Sequence, residues 1–304
     1  MNPVPCDWVL YTTHIASEYV YAQFCAIIAG MPNVLPPLEL DFPMLAACSH
    51  IASKLADAYH NPVAINFDMA RYADLLHAME KDALIFLDRP AVVCDKYGII
   101  VLWYLPGAID PLIQSDMMST AEKMSSQLAK SVTQGPETND KWRTHESNFH
   151  PSEHSIMPGC INLSPAWFLQ AHPALKFHPE VLATLKGDVA LRVMHPTLYW
   201  SSLGTALALG LWAADNQLDE MGECLRDWAS VFTALAVICN RRSPLHRDPI
   251  SRSQWFDGMT SVGTYGMGRM KMPNIGIEIV YDSGVMLAVS GRIVRHGMDE
   301  VNGD

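Results

Sequence analysis

Residues 275–289, IGIEIVYDSGVMLAV, decide the fold class of this chain. Over residues 275–281, isoleucines alternate with glycine, glutamate and valine. This alternation is typical of a β-strand, because successive side chains of a strand point to opposite faces. Residues 282–284, DSG, form a turn sequence, and the alternation resumes over residues 285–289. The stretch therefore predicts two strands joined by a tight turn.

Other short runs that favour strands lie upstream of this stretch. Residues 83–87, 91–94 and 99–104 are separated by turn sequences, and residues 231–239 are nearly all apolar, as in a strand that is buried on both faces. Short strands at spacings of about 8–12 residues, with Gly and Pro turns between them, are typical of a jelly roll or a barrel. The predicted fold class is therefore α+β with a jelly-roll core.

Helical spacing dominates the first part of the chain. Leu, Ala and Met recur at intervals of three and four residues in 44–60 and in 67–81. We therefore predict a helical N-terminal region over residues 1–82 and a second domain over residues 83–304.

Within the second domain the pattern changes several times. Helices are predicted at 119–130 and within 179–228, and the jelly-roll core is predicted mainly at 228–304. Residues 131–159 are polar and rich in Asn, Ser, His and Pro, so we interpret them as a long surface loop.

The composition excludes several classes of protein. The chain has 304 residues, of which 49% are apolar and 17% charged, so a disordered or collagen-like protein is excluded. Its seven cysteines form no Cys-x-x-Cys motif, which argues against a zinc ribbon or a disulfide framework and favours a reducing compartment. The longest apolar run is about a dozen residues, whereas a membrane span needs about 20, so we expect a soluble, intracellular protein.

A histidine and an aspartate two residues apart follow the apolar run 231–239. On one strand, His246 and Asp248 would project to the same face, so that one metal ion could bind both. His296 lies at the end of the last predicted strand and could complete a facial triad from an adjacent strand. Two imidazoles and one carboxylate suit Fe(II) and leave positions for a bidentate oxo acid and dioxygen. The pattern predicts an oxygenase-type iron site.

The motif alone is weak, because a chain with 12 histidines contains such pairs by chance. His178 and Glu180 form a similar pair, but they flank a proline outside any predicted strand, so we interpret them as a loop-to-helix junction. A further group lies in the polar segment without a periodic scaffold, and we interpret its members as solvated loop residues: His145, Glu146, His150, Glu153 and His154.

The surroundings of the triad are more specific than the motif. Residues 233–297, TALAVICNRRSPLHRDPISRSQWFDGMTSVGTYGMGRMKMPNIGIEIVYDSGVMLAVSGRIVRHG, closely resemble the catalytic core of the TET/JBP family of Fe(II)- and 2-oxoglutarate-dependent dioxygenases, in the branch expanded in fungal genomes beside transposons. The resemblance covers roughly residues 85–304. Upstream it runs through DRPAVVCDKYGIIVLWYLPGAI (88–109), WRTHESNF (142–149), INLSPAWF (161–168), LRVMHPTLY (191–199) and WASVFTALAVICNRR (228–242).

The resemblance implies an enzyme that oxidises a modified base in DNA, typically 5-methylcytosine or thymine, to hydroxymethyl and further oxidised forms. It implies Fe(II), 2-oxoglutarate and dioxygen as reactants, a double-stranded β-helix flanked by helices, and a nuclear location. It also implies that His246, Asp248 and His296 are the iron ligands. Because a base inside duplex DNA is unreachable, such an enzyme must flip it into a pocket.

The residues that follow the triad are candidates for contacts with the base or with the DNA groove. Ser251, Arg252 and Asp257 are predicted to contact substrate, whereas Trp255 is interpreted as a core residue. The net charge of −11 opposes binding to nucleic acid, but residues 235–304 carry eight basic and seven acidic residues. The excess of acidic residues therefore lies before residue 235.

The family also needs an arginine on the strand after the distal histidine, to pair with the 5-carboxylate of 2-oxoglutarate. The sequence ends at Asp304, eight residues past His296. We therefore expect this arginine to be missing, 2-oxoglutarate to bind weakly, and an unpaired sheet edge to lie beside the strand that carries His296. Arg241 is predicted to contact the other end of the cosubstrate, with a strand-end salt bridge as the alternative.

Two other functions are also compatible with the sequence. A catalytically impaired, DNA-binding relic of the family would fit the absent arginine. An iron oxygenase that acts on protein or on small molecules would fit the triad alone.

Overall fold

The computed structural model describes residues 6–32, 34–60, 76–96, 98, 100–136, 141–152, 156–164, 194–228 and 230–304. The chain divides into two compact units. The helical unit consists of Met1–Ala64 and Asp188–Leu225, and the β unit consists of Ile65–Gly187 and Arg226–Asp304.

Six α-helices lie in the described residues. They are α1 (Cys6–Ile28), α2 (Phe42–His60), α3 (Pro111–Lys123), α4 (Ser125–Ser131), α5 (Pro196–Asp215) and α6 (Asp219–Asp227). Among them, none is both long and apolar enough to cross a membrane. Helix α2 confirms the helix predicted at 44–60.

Residues of three helices form the core of the helical unit. Phe24 of α1 and Leu55 of α2 are fully buried, and Leu203 and Leu207 of α5 pack against them. Burial of a large apolar side chain contributes roughly 1.5–3 kcal/mol. Helix α5 begins with a proline, and the Nδ1 atom of His195 accepts the Leu198 N–H at 3.2 Å, which caps its first turn.

Eleven strands lie in the described part of the chain. They are β1 (Ile85–Leu87), β2 (Ala91–Cys94), β3 (Ile100–Leu105), β4 (Gly159–Leu163), β5 (Leu235–Cys239), β6 (Ser243–His246), β7 (Asp257–Thr260), β8 (Arg269–Met272), β9 (Ile277–Val280), β10 (Met286–Val289) and β11 (His296–Met298). Strands β1 to β3 confirm the three strands predicted between residues 83 and 104.

The strands form three sheets. The order of the five-stranded sheet is β1-β9-β8-β11-β6, and that of the four-stranded sheet is β2-β3-β10-β7. Strands β4 and β5 form a two-stranded sheet. All neighbours are antiparallel except β1 and β9. The mixed α+β class is confirmed, and the described strands form no closed barrel.

The stretch 275–289 contributes one strand to each large sheet. Strand β9 pairs with β8 and β1, whereas β10 pairs with β3 and β7. The turn at residues 282–284 therefore carries the chain from one sheet to the other rather than joining two paired strands.

Apolar residues of the two large sheets share one core. Leu102 and Tyr104 of β3, Ile279 of β9 and Leu287 of β10 are fully buried in a single cluster. The Tyr104 hydroxyl donates to the Val280 carbonyl at 2.8 Å, which satisfies the polar atom of a buried ring. This core holds the frame on which the candidate site is built.

Strand β5 differs from the sequence-based prediction of a strand buried on both faces. It begins at Leu235 and alternates, with Ile238 45% exposed and Cys239 8% exposed. A two-stranded sheet leaves one face open, so an apolar sequence run does not ensure burial of both faces.

The segment 131–159 is expected to be a surface loop, but several of its described residues are buried. Trp142, His145 and Asn148 are buried. The Asn148 carbonyl accepts the Arg242 N–H at 2.9 Å. Part of the polar composition of the segment therefore serves hydrogen bonds inside the β unit.

The expected unpaired edge beside the strand that carries His296 is also wrong. Strand β11 pairs with β8 on one side and with β6 on the other. The helix predicted at 67–81 lies mostly outside the described residues, and the one predicted within 179–228 is described only from residue 194 onward. No disulfide joins the six cysteines whose side chains the structure describes.

Candidate metal centre

Two histidines meet where β6 and β11 pair. His246 ends β6, His296 begins β11, and the two residues are directly opposite each other in the antiparallel register. Their ring centroids are 4.4 Å apart. His296 is 3% exposed, and His246 is partly buried. The pairing of two strands distant in sequence therefore places two imidazoles side by side.

Asp248 lies two residues beyond the end of β6, where strand alternation no longer sets its direction. Its N–H donates to the Gly291 carbonyl at 2.9 Å. Its Oδ1 lies 3.7 Å from Nε2 of His246, and its Oδ2 lies 3.5 Å from Nε2 of His296. One ligand atom from each of the three residues falls within 4.8 Å of the other two.

Hydrogen bonds fix the tautomer of both histidines. Nδ1 of His246 lies 2.7 Å from the Pro244 carbonyl, and Nδ1 of His296 lies 3.0 Å from the Val294 carbonyl. A carbonyl only accepts, so each Nδ1 carries the proton and each Nε2 keeps its lone pair. Metal-binding histidines are oriented in this way by a carbonyl behind the ring. The donor set of two imidazole nitrogens and one carboxylate fits Fe(II).

Burial lowers the pKa of His246 to about 4, and the neighbouring His296 adds to this effect. The hydrogen bond to the Pro244 carbonyl and the charge of Asp248 act in the opposite direction. His246 is therefore neutral at pH 7, and the neutral imidazole is the form that binds a metal ion.

Two residues of the polar segment reach the triad, and neither is predicted from the sequence as a site residue. Arg143 donates from Nη2 to Oδ1 of Asp248 at 3.0 Å. The Trp142 ring centroid lies 4.7 Å from that of His246, and the Arg143 guanidinium lies 4.5 Å from the Trp142 ring. No periodic pattern marks these residues, and the motif WRTHESNF is the one sequence signal that sets them apart.

Arg241 contacts Arg143 and Trp142, the two residues that contact the triad. It donates from Nη1 to the Arg143 carbonyl at 2.9 Å, and its guanidinium lies 5.0 Å from the Trp142 ring centroid. Burial lowers its pKa. The alternative of a strand-end salt bridge finds no carboxylate partner among the described residues. Its contact with cosubstrate stays a prediction.

Two of the predicted substrate residues contact each other. The Ser251 hydroxyl donates to Oδ1 of Asp257 at 2.8 Å, where β7 begins. Burial raises the pKa of Asp257, and the charge of Asp248 adds to the rise. The hydrogen bond from Ser251 and the Gly291 N–H lower it in part. Asp257 thus lies beside the candidate metal centre, and its contact with substrate stays a prediction.

Other residues after Asp248 lie at the surface. Arg252 is exposed, Ile250 is 95% exposed and Trp255 is 39% exposed. The interpretation of Trp255 as a core residue is therefore wrong, because the adjacent Phe256 is the buried ring, at 8% exposure.

His145 was interpreted as a solvated loop residue, and this is wrong. The side chain is buried, with Nε2 2.7 Å from the Gly135 carbonyl and Nδ1 3.2 Å from the Ser147 N–H. It closes a turn and is directed away from solvent, but it joins no metal-binding group in the described residues. His178, Glu180, Glu153 and His154 lie outside the described residues.

The fold and the geometry define a mixed α+β protein with a candidate metal site of two histidines and one carboxylate. No protein-family model matches the sequence, and no curated protein is similar to it. A solved structure of NgTET1 in complex with 5mC DNA is similar at a TM-score of 0.39 and 11% identity, over 76% of this chain and 82% of that chain. Similarity at this level does not establish a shared fold, so the candidate site rests on its own geometry.

Proposed function

We propose that the chain is an Fe(II)- and 2-oxoglutarate-dependent dioxygenase of the TET/JBP family that oxidises a methylated base in DNA. The observation that supports this function is the convergence of His246, Asp248 and His296, with both Nε2 atoms facing one carboxylate. This function would require the two large sheets to form a double-stranded β-helix. It would also place the protein in the nucleus.

The three ligands would hold the metal on one side and leave the opposite side open. Fe(II) bound there would couple the conversion of 2-oxoglutarate and O2 to succinate and CO2 to the insertion of the second oxygen atom into a methyl C–H bond. Trp142 shields the His246 ring, and the low exposure of His296 excludes water from the other ligand. The protein itself fixes three metal-donor atoms in a site from which water is partly excluded.

Two arginines beside the triad support a cosubstrate with carboxylates. The guanidinium groups of Arg143 and Arg241 both lie on the Trp142 ring, at 4.5 Å and 5.0 Å from its centroid. A carboxylate would offset the repulsion between these like charges, and guanidinium groups match its geometry. Arg143 contacts Asp248 directly, so it is the better placed of the two to meet a ligand at the metal.

The surface beyond Asp248 supports a nucleic-acid substrate. Arg252 can meet a phosphate, and the exposed faces of Trp255 and Ile250 can stack on or wedge between bases. An apolar group beside a basic one, a few residues after a candidate metal ligand in the sequence, suits an enzyme that must hold an extruded base.

Metal content and product release test the proposed function. The full chain, loaded anaerobically with Fe(II), should bind one equivalent and release succinate from 2-oxoglutarate with DNA containing 5-methylcytosine. His246→Ala and Asp248→Ala should each lose stoichiometric Fe(II), because a facial triad cannot spare a ligand. His50→Ala, at an exposed helical histidine, is the matched control and should keep full occupancy.

Full Fe(II) occupancy in either ligand variant would overturn the metal assignment. Iron binding without succinate release, together with binding to DNA, would instead identify a catalytically impaired DNA-binding protein. Succinate release that DNA does not stimulate would point to a different substrate.

A further inference from the structure

The side of the metal centre next to Asp248 is bounded by a glycine. The Gly291 carbonyl accepts the Asp248 N–H at 2.9 Å. The point at which a Cβ atom of residue 291 would stand is 2.9 Å from Oδ2 of Asp248 and 2.3 Å from Oδ2 of Asp257. Two carboxylates therefore reach into the space that a side chain at this position would fill.

The two oxygen atoms of Asp248 have different neighbours. Oδ1 accepts a hydrogen bond from Arg143 at 3.0 Å, which fixes that end of the carboxylate. Oδ2 lies 3.5 Å from Nε2 of His296, and because both atoms present lone pairs, this pair of atoms forms no hydrogen bond. What confines Oδ2 is the Gly291 backbone and the Asp257 carboxyl.

Asp257 is itself firmly placed. It pairs with Val289 in the β7–β10 register, and its Oδ1 accepts the Ser251 hydroxyl at 2.8 Å. Its Oδ2 is buried, and the Gly291 N–H that lies near this carboxyl does not form a hydrogen bond of ordinary geometry with it. A buried polar atom without a well-formed hydrogen bond is costly, and native proteins keep few of them without a function.

We infer that Gly291 and Asp257 are positioning residues of the metal centre. Gly291 leaves the space in which Oδ2 of Asp248 turns toward His296, and Asp257 closes that space from the other side. A divalent ion bound by Asp248 offsets the repulsion between the two carboxylates, so Asp257 strengthens metal binding without being a ligand. This inference rests on the metal centre of the proposed function and adds to it two residues outside the triad.

Titration of the full chain with Co(II), followed by visible absorption, tests the role of Gly291. In Gly291→Ala, the added methyl group must displace both carboxylates, so the Co(II) affinity should fall by about tenfold or more and the absorption band should change shape. Gly266→Ala is the matched control, because a Cβ there meets no atom within 4 Å. Its affinity and spectrum should equal those of the unsubstituted chain.

Asp257 is tested alone and together with Gly291. Asp257→Ala should weaken Co(II) binding by about three- to tenfold, because a nearby negative charge is lost. The variant with both Gly291→Ala and Asp257→Ala should bind Co(II) more tightly than Gly291→Ala, because the closest clash, at 2.3 Å, is removed. Thermal unfolding with a chelator present separates these effects from a loss of fold.

Three outcomes overturn the inference. If Gly291→Ala binds Co(II) with the same affinity as the unsubstituted chain, Gly291 is not a positioning residue. If the effects of the two substitutions on Co(II) affinity simply add in the double variant, Gly291 and Asp257 do not act together on Asp248. Failure of the unsubstituted chain to bind Co(II) removes the inference and the proposed function together, whereas the first two outcomes leave the proposed function intact.

Discussion

Each histidine of the candidate metal centre is oriented by the chain segment immediately before it. In both cases the carbonyl that faces Nδ1 belongs to the residue two positions earlier, Pro244 for His246 and Val294 for His296. The ring direction is thus set locally, before the strands pair. By contrast, the Asp248 carboxylate takes its direction from Arg143, which lies 105 positions away in the sequence.

At this residue scale, Arg143 should matter more for the cosubstrate than for the metal. Arg143→Gln removes a positive charge and a charge-assisted hydrogen bond, which contributes about 1.5–3 kcal/mol. We expect the affinity for 2-oxoglutarate, measured by calorimetry on the metal-loaded chain, to fall by about tenfold or more. Metal affinity should change by less than this factor, and an equal loss of both would contradict the assignment.

The element that assembles the site is strand β11. It lies between β8 and β6, and its first residue faces the last residue of β6. The next residue, Gly297, has no room for a side chain, since a Cβ there would lie 2.8 Å from the Ser243 carbonyl oxygen and 2.9 Å from the Leu245 backbone. Close approach of two backbones is what brings the histidine rings together.

Gly297→Ala should therefore separate β11 from β6. We expect the free energy of unfolding to fall by about 1–3 kcal/mol, the usual cost of overpacking, and Co(II) affinity to fall with it. Gly258→Ala is a suitable strand control, because its Cβ would meet only the Phe232 ring at 3.5 Å, an ordinary contact. Unchanged stability and Co(II) affinity in Gly297→Ala would show that the strand spacing does not set the site.

Strand β5 carries a pH-sensitive group. Burial raises the pKa of Cys239 from its usual value of 9.0 to about 12, and the charges of Cys160 and Asp304 add to the rise. Between these two values the unfolded chain loses the thiol proton while the folded chain keeps it, so this group lowers the stability as the pH rises above 9.

Urea unfolding under reducing conditions at pH 8, 9 and 10 tests this effect. The thiol should contribute a fall of about 1.4 kcal/mol per pH unit above 9, and Cys239→Ala should remove that part of the fall. Cys94→Ala, at an exposed thiol, is the matched control. A Cys239→Ala chain with the same pH slope as the unsubstituted chain would rule out this contribution.

At the scale of the whole molecule, the β unit is assembled from distant parts of the chain. Strand β1 pairs with β9, and β3 pairs with β10, so each large sheet joins residues before 106 to residues after 276. Such non-local pairing makes folding slow, because long loops must close before the contacts form. The net charge is just as unevenly distributed, since residues 1–234 hold 13 basic and 25 acidic residues.

This charge distribution predicts weak, salt-sensitive binding to duplex DNA through the surface around Arg252. We expect affinity to fall steeply between 50 and 200 mM salt, and Arg252→Ala to weaken binding and to reduce the salt slope by about one. Fluorescence anisotropy with a labelled duplex measures both quantities. Arg89→Ala, at another exposed arginine of the β unit, is the control. Salt-independent binding, or none at low salt, would contradict a nucleic-acid substrate.

Local patterns in the sequence determined most of the individual elements. Short runs of β-favouring residues predicted the strands between 83 and 104, alternation predicted those on either side of the turn at 282–284, and helical spacing predicted α2. The three candidate ligands were also found from residue type and spacing. These features depend on neighbouring residues or on the chemistry of single side chains, so they can be read along the chain.

Only the tertiary structure decided how these parts meet. It placed β9 and β10 in different sheets, exposed Trp255, and brought Arg143 and Gly291 to Asp248. None of these outcomes has a periodic signal in the local sequence, because each is selected by the packing of the whole β unit. The sequence by itself thus determined the elements and the candidate donor atoms, and the fold determined the surroundings that orient them.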